Sequence, residues 1–336
     1  MPYNIKTQLY KLPFQTPIEV MIDVANICNF RCLFCPTGDP ELLKSVGRPQ
    51  GIMDFKLFCK IIDDINEFDR KVEILHLYKD GEPFLNDRLG EMIAYTKSKN
   101  IAKSVETTSN GSLIDESKAI EIIEAGLDWI RISVAHINND GYKKITQTYS
   151  DYETIRKNVE FLFYEKTKRK SSLGIHTKIL DVRFTFSEIK KFLEDFGKIS
   201  DLVTRDTLMG WSLSEVKDFT LGLSIKTGTD GFIPLNKNRK VCPVSFYMMT
   251  INFNGIVTVC CVDWSWGTVI GDVRKESLFD IWNGDRMKEF RMLHLKGERS
   301  KIKVCANCQY LQGLDNQLNG IDDYSEYFLK KISGSL

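Results

Sequence analysis

Pro17-Ile18-Glu19-Val20-Met21-Ile22-Asp23-Val24-Ala25-Asn26-Ile27-Cys28-Asn29-Phe30-Arg31-Cys32-Leu33-Phe34-Cys35 carries two signals back to back. From Pro17 to Val24, Ile18, Val20, Ile22 and Val24 alternate with Glu19, Met21 and Asp23, the period-2 pattern of a β-strand. The strand runs into a C-x3-C-x2-C loop of Cys28, Cys32 and Cys35. Three thiolates in so tight a loop imply one metal centre. Iron–sulfur clusters are normally held by four cysteines, so three leave one iron open to a small molecule. The competing reading is a zinc loop with a distant fourth ligand, although zinc sites favour C-x2-C or C-x4-C pairs.

Downstream, to about residue 210, short β-rich runs alternate with helical patterns. Val72–Tyr78, Ser104–Thr108, Trp129–Val134, Ile175–Val182 and Asp201–Arg205 read as strands. Helical periodicity covers 54–67, 87–98, 115–125, 151–167 and 187–196, with Asp54, Asp115, Asp151 and Ser187 where N-caps belong. Alternation of this kind predicts parallel strands joined by right-handed crossovers. About 35 residues per unit gives about six βα units, too few for a closed eight-stranded barrel. Barrel sites lie at the C-terminal ends of strands, which is where the cysteine triple follows the first strand.

After about residue 210 the pattern changes. Gly222, Gly228, Gly231 and Pro234 punctuate a connector, and Asn254-Gly255 predicts a hairpin of Phe246–Asn252 with Ile256–Val262. One amphipathic helix is expected from near Ser277, carrying Leu278, Ile281, Trp282, Phe290 and Leu293. Cys242, Cys260, Cys305 and Cys308 surround these elements, the last two as a C-x2-C. Four thiolates can close a [4Fe–4S] cluster completely, and they also make an acceptable structural zinc site. Cys261 adjoins Cys260, and on a strand it would point to the opposite face, as an inert thiol or toward an active site. Cys59 falls in a helical pattern and reads as a small core residue.

Composition excludes several classes. The chain has 336 residues, 43% hydrophobic and 27% charged, which is ordinary for a globular protein. A net charge of +1 offers no electrostatic footprint for nucleic acid or an anionic membrane. Met1-Pro2-Tyr3-Asn4-Ile5-Lys6 lacks the pattern of a secretory signal, and no run approaches the ~18 apolar residues of a membrane span. A cytoplasmic location is therefore expected, where clustered cysteines more often bind metal than form disulfides.

The triple, with aromatic Phe34 before its last cysteine, resembles the signature of the radical S-adenosylmethionine (SAM) enzymes. The later cysteines, C-x12-G-x4-C then C-x2-C, with Gly271-Asp272-Val273 and Ile281-Trp282-Asn283 between, resemble the SPASM/twitch module of that family. The resemblance implies an α/β fold, a partial (β/α)6 radical SAM barrel over 1–225, followed by a small β-hairpin/helix iron–sulfur module over 226–336. It implies two [4Fe–4S] clusters, one binding SAM through Cys28, Cys32 and Cys35 and one auxiliary on Cys242, Cys260, Cys305 and Cys308. No cysteine follows Cys308, which limits the chain to one auxiliary cluster.

Around SAM, Lys79-Asp80-Gly81-Glu82-Pro83 is similar to the family's GGE motif with Asp80 in the first glycine place. There Gly81 would let the backbone approach the ligand and Glu82 would pair with the SAM ammonium. The resemblance adds Asn110, in a T-N-G-like turn, and Ser133 near the ribose. Cys261 and Arg205 are the expected substrate-side groups, and His76 and His136 lie near the expected barrel mouth. The cysteine spacing is similar to that of members that dehydrogenate an aminocyclitol. It implies a cleaved SAM whose 5′-deoxyadenosyl radical helps oxidise an alcohol carbon of a sugar or aminocyclitol to a ketone. Peptide epimerisation or crosslinking, with Cys261 as hydrogen donor, is the alternative, and a non-catalytic cluster-binding partner is a third. A flavodoxin- or ferredoxin-type electron donor is implied; nucleic acid and membrane are not.

Overall fold

Six β-rich runs form six strands that pair in sequence order, each parallel to the last. They are β1 (Glu19–Ile22), β2 (Val72–His76), β3 (Ala102–Ser109), β4 (Trp129–Val134), β5 (Gly174–Asp181) and β6 (Leu202–Thr207). β6 does not pair with β1, so the barrel is open. The computed structural model describes residues 13–213, 215–314 and 320–334.

Register divides the strands into two faces. Val20, Ile22, Leu75, Val105, Ile130, Ile132, Ile175 and Ile179 are buried against the helices in one continuous core. The other face carries Glu19, His76, Glu106, Arg131, His176 and Lys178, with His76 directly opposite Glu106 and Arg131 opposite His176. β4 shows the division most clearly. Ile130, Ile132 and Val134 are buried, whereas Trp129, Arg131 and Ser133 stay half-exposed. An apolar exterior under helices and a polar interior is the arrangement that leaves a lumen for polar chemistry.

The helices are α1 (Pro40–Ser45), α2 (Phe55–Ile65), α3 (Leu89–Lys99), α4 (Glu116–Glu124), α5 (Asn139–Thr146), α6 (Tyr152–Lys168) and α7 (Phe186–Phe196). Asp54, Asp115 and Asp151 cap α2, α4 and α6 as expected, each contributing about 1 kcal/mol. Ser187 does not cap α7. Thr185 does, in a reciprocal capping box with Glu188, so the helix begins earlier than its apolar pattern. Short α1 and α5 were not anticipated, because neither is long enough to show helical periodicity.

The C-terminal part contains α8 (Val244–Tyr247), β7 (Met248–Ile251), β8 (Ile256–Thr258) and β9 (Val269–Asp272), then α9 (Leu278–Asn283), α10 (Asp285–Leu295) and α11 (Lys303–Ala306). β7 pairs parallel with β1, so the sheet runs on as β6-β5-β4-β3-β2-β1-β7-β8-β9. Gly255 turns the hairpin at φ +87°, a conformation that disfavours any side chain. The hairpin strands are shorter than expected and β9 adds a third. The single helix predicted from Ser277 is two, broken at Gly284, which serves as C-cap of α9 and N-cap of α10. Two further helices, α12 (Gly320–Asp323) and α13 (Ser325–Ser333), close the chain, and Phe328 packs with Phe14 and Phe246 in a separate small core. Among the described residues no helix is long and apolar enough to cross a membrane.

Candidate active site between two cysteine groups

The chain leaves β1 through Ala25, Asn26 and Ile27 and enters the Cys28–Cys35 loop at the lumen's upper rim. All three thiols are free and half-buried. The Phe30 N–H donates to Cys28 Sγ at 3.4 Å, and Asn110 Nδ2 lies 4.0 Å from the same sulfur. Burial, aided by the Glu82 carboxylate, pushes the Cys28 thiol up to about 12; burial and neighbouring thiols raise Cys32. Cys35 is also raised, chiefly by burial. Thiols that resist ionisation this strongly need a cationic centre to become thiolates. The donor set therefore fits an iron–sulfur cluster. Phe34 is half-buried, and its carbonyl accepts the Trp211 indole N–H at 3.1 Å, which pins the loop to the segment after β6.

Glu82 is 2% exposed, and its carboxylate accepts from Ser109 Oγ at 2.8 Å, the Asn110 N–H at 2.8 Å and the Phe84 N–H at 3.1 Å. It thus ties the turn after β2 to the end of β3. Burial still raises its pKa to about 6. Asn110 passes the tie on, donating to Asn29 Oδ1 at 2.8 Å within the cysteine loop. Gly81 is close-packed against the backbone after β1. A Cβ there would lie 2.3 Å from both the Ala25 and Ile27 carbonyl oxygens, so the glycine seats the backbone leading to Cys28. Ser133, opposite Lys178, stands on the lumen face of β4.

Asp80, the departure from the family glycine, has a structural consequence that sequence reading missed. Its carboxylate pairs with Lys79 and, at 3.4 Å, with Arg48, and all three side chains are buried. Arg48 also donates to Thr37 Oγ1 at 3.0 Å and to the Trp264 carbonyl at 3.3 Å, while Lys79 reaches the Asp263 carbonyl at 3.2 Å. Asp23 lies beneath, accepting the Asp80 N–H at 3.4 Å; burial, with Asp80 next, raises its pKa to about 7. This charged bridge joins the first cysteine loop to the residues that follow Cys260. Only Asp80 gave a signal in the sequence.

Cys242, Cys260, Cys305 and Cys308 line one small cavity, walled by Val244, Val259, Val262, Val304 and Leu311. Burial and mutual proximity push the Cys242 and Cys305 thiols well up, and Cys308 to about 11. Four such thiols facing one apolar space fit an enclosed iron–sulfur cluster. Among the described residues no three His, Cys, Asp or Glu groups converge on a single metal ion as they stand. His294 shares the cavity, 1% exposed, a residue to which the sequence assigned no role.

Cys261 corrects a premise. β8 ends at Thr258, so Cys260 and Cys261 lie in a turn, and strand alternation does not separate them. The Cys261 thiol, with burial next, raises that of Cys260 well above its ordinary value. Cys261 is also within electrostatic reach of the Tyr78, Tyr247 and Tyr310 hydroxyls, as Glu19 is of the last two. It therefore stands between the auxiliary cavity and the lumen. There Arg131 pairs with Glu106 at 2.8 Å and donates to the Tyr78 hydroxyl at 3.2 Å, and Lys178 pairs with Asp206 at 3.0 Å. His76 Nε2 lies 3.3 Å from Glu19 Oε2 on the same face.

Arg205 is not among them. It sits opposite Ile179 on the other face, exposed and paired with Asp181, because β6 places Thr204 and Asp206 inward instead. His136 packs on Phe184 beyond β4. Cys59 is half-buried on α2 rather than in the core.

Residues 22–177 match the radical SAM superfamily, and residues 242–309 match SPASM, an iron–sulfur cluster-binding domain. The chain carries a radical SAM domain followed by a SPASM domain. It is a radical SAM enzyme whose first domain calls for SAM and a SAM-binding [4Fe–4S] cluster and whose SPASM domain calls for auxiliary iron–sulfur binding. A Pyrococcus furiosus protein, the tungsten-containing aldehyde ferredoxin oxidoreductase cofactor-modifying protein, is 24% identical over 81% of this chain and 82% of its own length. BtrN, solved with AdoMet and 2-DOIA, superposes with a TM-score of 0.54 at 19% identity, covering 88% of this chain and 98% of BtrN. Streptococcus suis SuiB bound to S-adenosylmethionine gives 0.62 at 14% identity, covering 92% of this chain and 75% of SuiB. At these identities the two structures speak for the fold alone.

Proposed function

We propose that this enzyme oxidises an alcohol carbon of a sugar or aminocyclitol to a ketone. The observation that carries the reading is a polar lumen lying between an open three-cysteine site and an enclosed four-cysteine site. When bound, SAM and the first cluster supply hydrogen-atom abstraction, and the auxiliary cluster takes up the remaining electron. The chain's own residues then have to hold a polar substrate and receive a hydroxyl proton.

The lumen's charges support this. Arg131 is matched by Glu106 and Lys178 by Asp206, which leaves Glu19 with only the His76 ring as an ion-pair partner among the described residues. Glu19 is thus an acceptor for a substrate hydroxyl or ammonium, and a buried carboxylate without a cation favours a ligand that brings one. Tyr78, Tyr247 and Tyr310 add hydroxyls suited to a polyol. His176, held neutral by burial and by Arg131 with its pKa near 4, bonds Thr204 at 2.8 Å and lines the far wall. We assign residues 1–225 to radical generation and substrate holding, and 226–336 to the electron acceptor. An external flavodoxin- or ferredoxin-type protein would supply the initiating electron.

A second reading is modification of a peptide, for which the Cys261 thiol, within electrostatic reach of the Tyr310 hydroxyl, would be the hydrogen donor. SuiB, whose fold is similar, has been solved with its precursor peptide SuiA. Anaerobic incubation with SAM, dithionite and a panel of aminocyclitols and sugar alcohols separates the two. Formation of a ketone equimolar with 5′-deoxyadenosine supports oxidation. Solvent deuterium retained at the reacting carbon, abolished by Cys261→Ala, would replace oxidation by epimerisation.

A further inference from the structure

His294 lies on α10 with its ring in the wall of the auxiliary cavity, stacked on Phe290 at a centroid distance of 4.8 Å. Its Nδ1 accepts the Cys242 backbone N–H at 3.2 Å. A ring nitrogen that accepts carries no proton, so the tautomer is fixed: the hydrogen is on Nε2. Nε2 is fully buried and has no hydrogen-bond partner. An unmet buried donor is costly and rare in folded proteins. The walls around it are apolar except for the cysteines and a few side chains engaged elsewhere, as Asp263 is with Thr268 at 2.7 Å.

We propose that His294 Nε2–H donates a hydrogen bond to a sulfur of the auxiliary cluster and raises its reduction potential. Hydrogen bonds to cluster sulfurs are one of the levers that set iron–sulfur potentials, because they stabilise the more negative, reduced state. The backbone of one ligand, Cys242, thereby orients the ring that bonds the cluster, a second-shell arrangement of the kind that tunes metal sites. A higher potential makes the auxiliary centre a better electron acceptor. The inference rests on an iron–sulfur cluster at these four cysteines and not on the identity of the substrate.

The test uses full-length protein with Cys28, Cys32 and Cys35 replaced by alanine, so that only the auxiliary centre is reconstituted and titrated by EPR. Two substitutions separate the roles of the ring. His294→Asn keeps an acceptor near Nδ1 and loses the distal donor; His294→Gln keeps a donor near Nε2 and loses the acceptor. The midpoint potential should fall in His294→Asn and stay near the parent value in His294→Gln. Pulsed EPR of the reduced parent, labelled with ¹⁵N-histidine, should show one coupled imidazole nitrogen and an exchangeable proton. An unchanged potential in His294→Asn, or no histidine coupling in the parent, overturns the proposal. The coupling measurement decides the matter even if a variant fails to assemble its cluster, and neither readout depends on turnover.

Discussion

The two cysteine groups are solved by opposite environments. The first loop sits among charges and amides: Glu82, Asp80, Arg48 and Lys79 surround it, and Asn110 and the Phe30 N–H address Cys28. Its thiols stand at the rim of a polar lumen, half-buried as those of the second group also are. The second group closes on an apolar cavity where one imidazole is the unmet donor. A centre that must bind an ionic ligand and exchange it every turnover needs polar neighbours that outlast each departure. A centre that only passes electrons gains from being sealed, because a closed ligand set and a dry wall protect it and tune it. On the proposed function, the two surroundings suit two different roles, a distinction the cysteine count alone does not make.

The contrast breaks first at the ligands. Cys32→Ala should reduce 5′-deoxyadenosine formation to background, and retained SAM cleavage would remove the radical assignment. On anaerobically reconstituted protein, iron should fall from about eight per chain to about four when the whole triple is replaced. Cys305→Ala should also lose about four irons yet keep uncoupled SAM cleavage while substrate turnover stops. Turnover surviving in that variant would make the second site structural.

Much of this was legible because strands, cysteine spacing and turn glycines are local signals. The six strands follow from β-rich runs, and the two cysteine groups from their spacing. What escaped depends on register and on contacts distant in sequence. Arg205 ends the expected sixth strand, and only its pairing opposite Ile179 shows that it faces away from the lumen. Cys261 was read as strand-bound, whereas β8 stops at Thr258 and frees the Cys260–Cys261 turn. Arg48 and His294 find their partners in Asp80 and Cys242, 32 and 52 positions away, which no short motif encodes.

The bridge between the regions sharpens the comparison at the next scale. Asp80→Gly restores the family's residue but leaves the Arg48 and Lys79 side chains buried with Asp23 as their nearest carboxylate. Removing one member of a buried ion pair commonly costs about 3–5 kcal/mol, and Asp23 should offset part of it, so a loss of about 3 kcal/mol in urea unfolding is expected. Asp80→Asn, which keeps hydrogen-bonding capacity, should fall between the two. A glycine variant as stable as the parent would mean that the bridge does not hold the cysteine loop to the Asp263–Trp264 segment.

The smallest effect belongs to Glu82 and concerns pH. Its folded pKa, about 6, stands above the ordinary carboxylate value of 4.5 because burial penalises the charge. A carboxyl raised on folding binds its proton more tightly in the native state than in the unfolded chain. Its contribution is fully present below pH 4.5, is lost as pH rises through 6, and amounts to about 2 kcal/mol in all. Glu82→Gln cannot titrate, so the slope of stability between about pH 5 and 7 should flatten, although the lost acceptor for Asn110 and Ser109 lowers its overall level. The same substitution should leave the auxiliary centre's iron and potential unchanged, since the Glu82 carboxylate bonds to groups in the turns after β2 and β3. An equal slope in both proteins would place the residue's charge in water, as an exposed ligand for SAM rather than a buried tie within the rim.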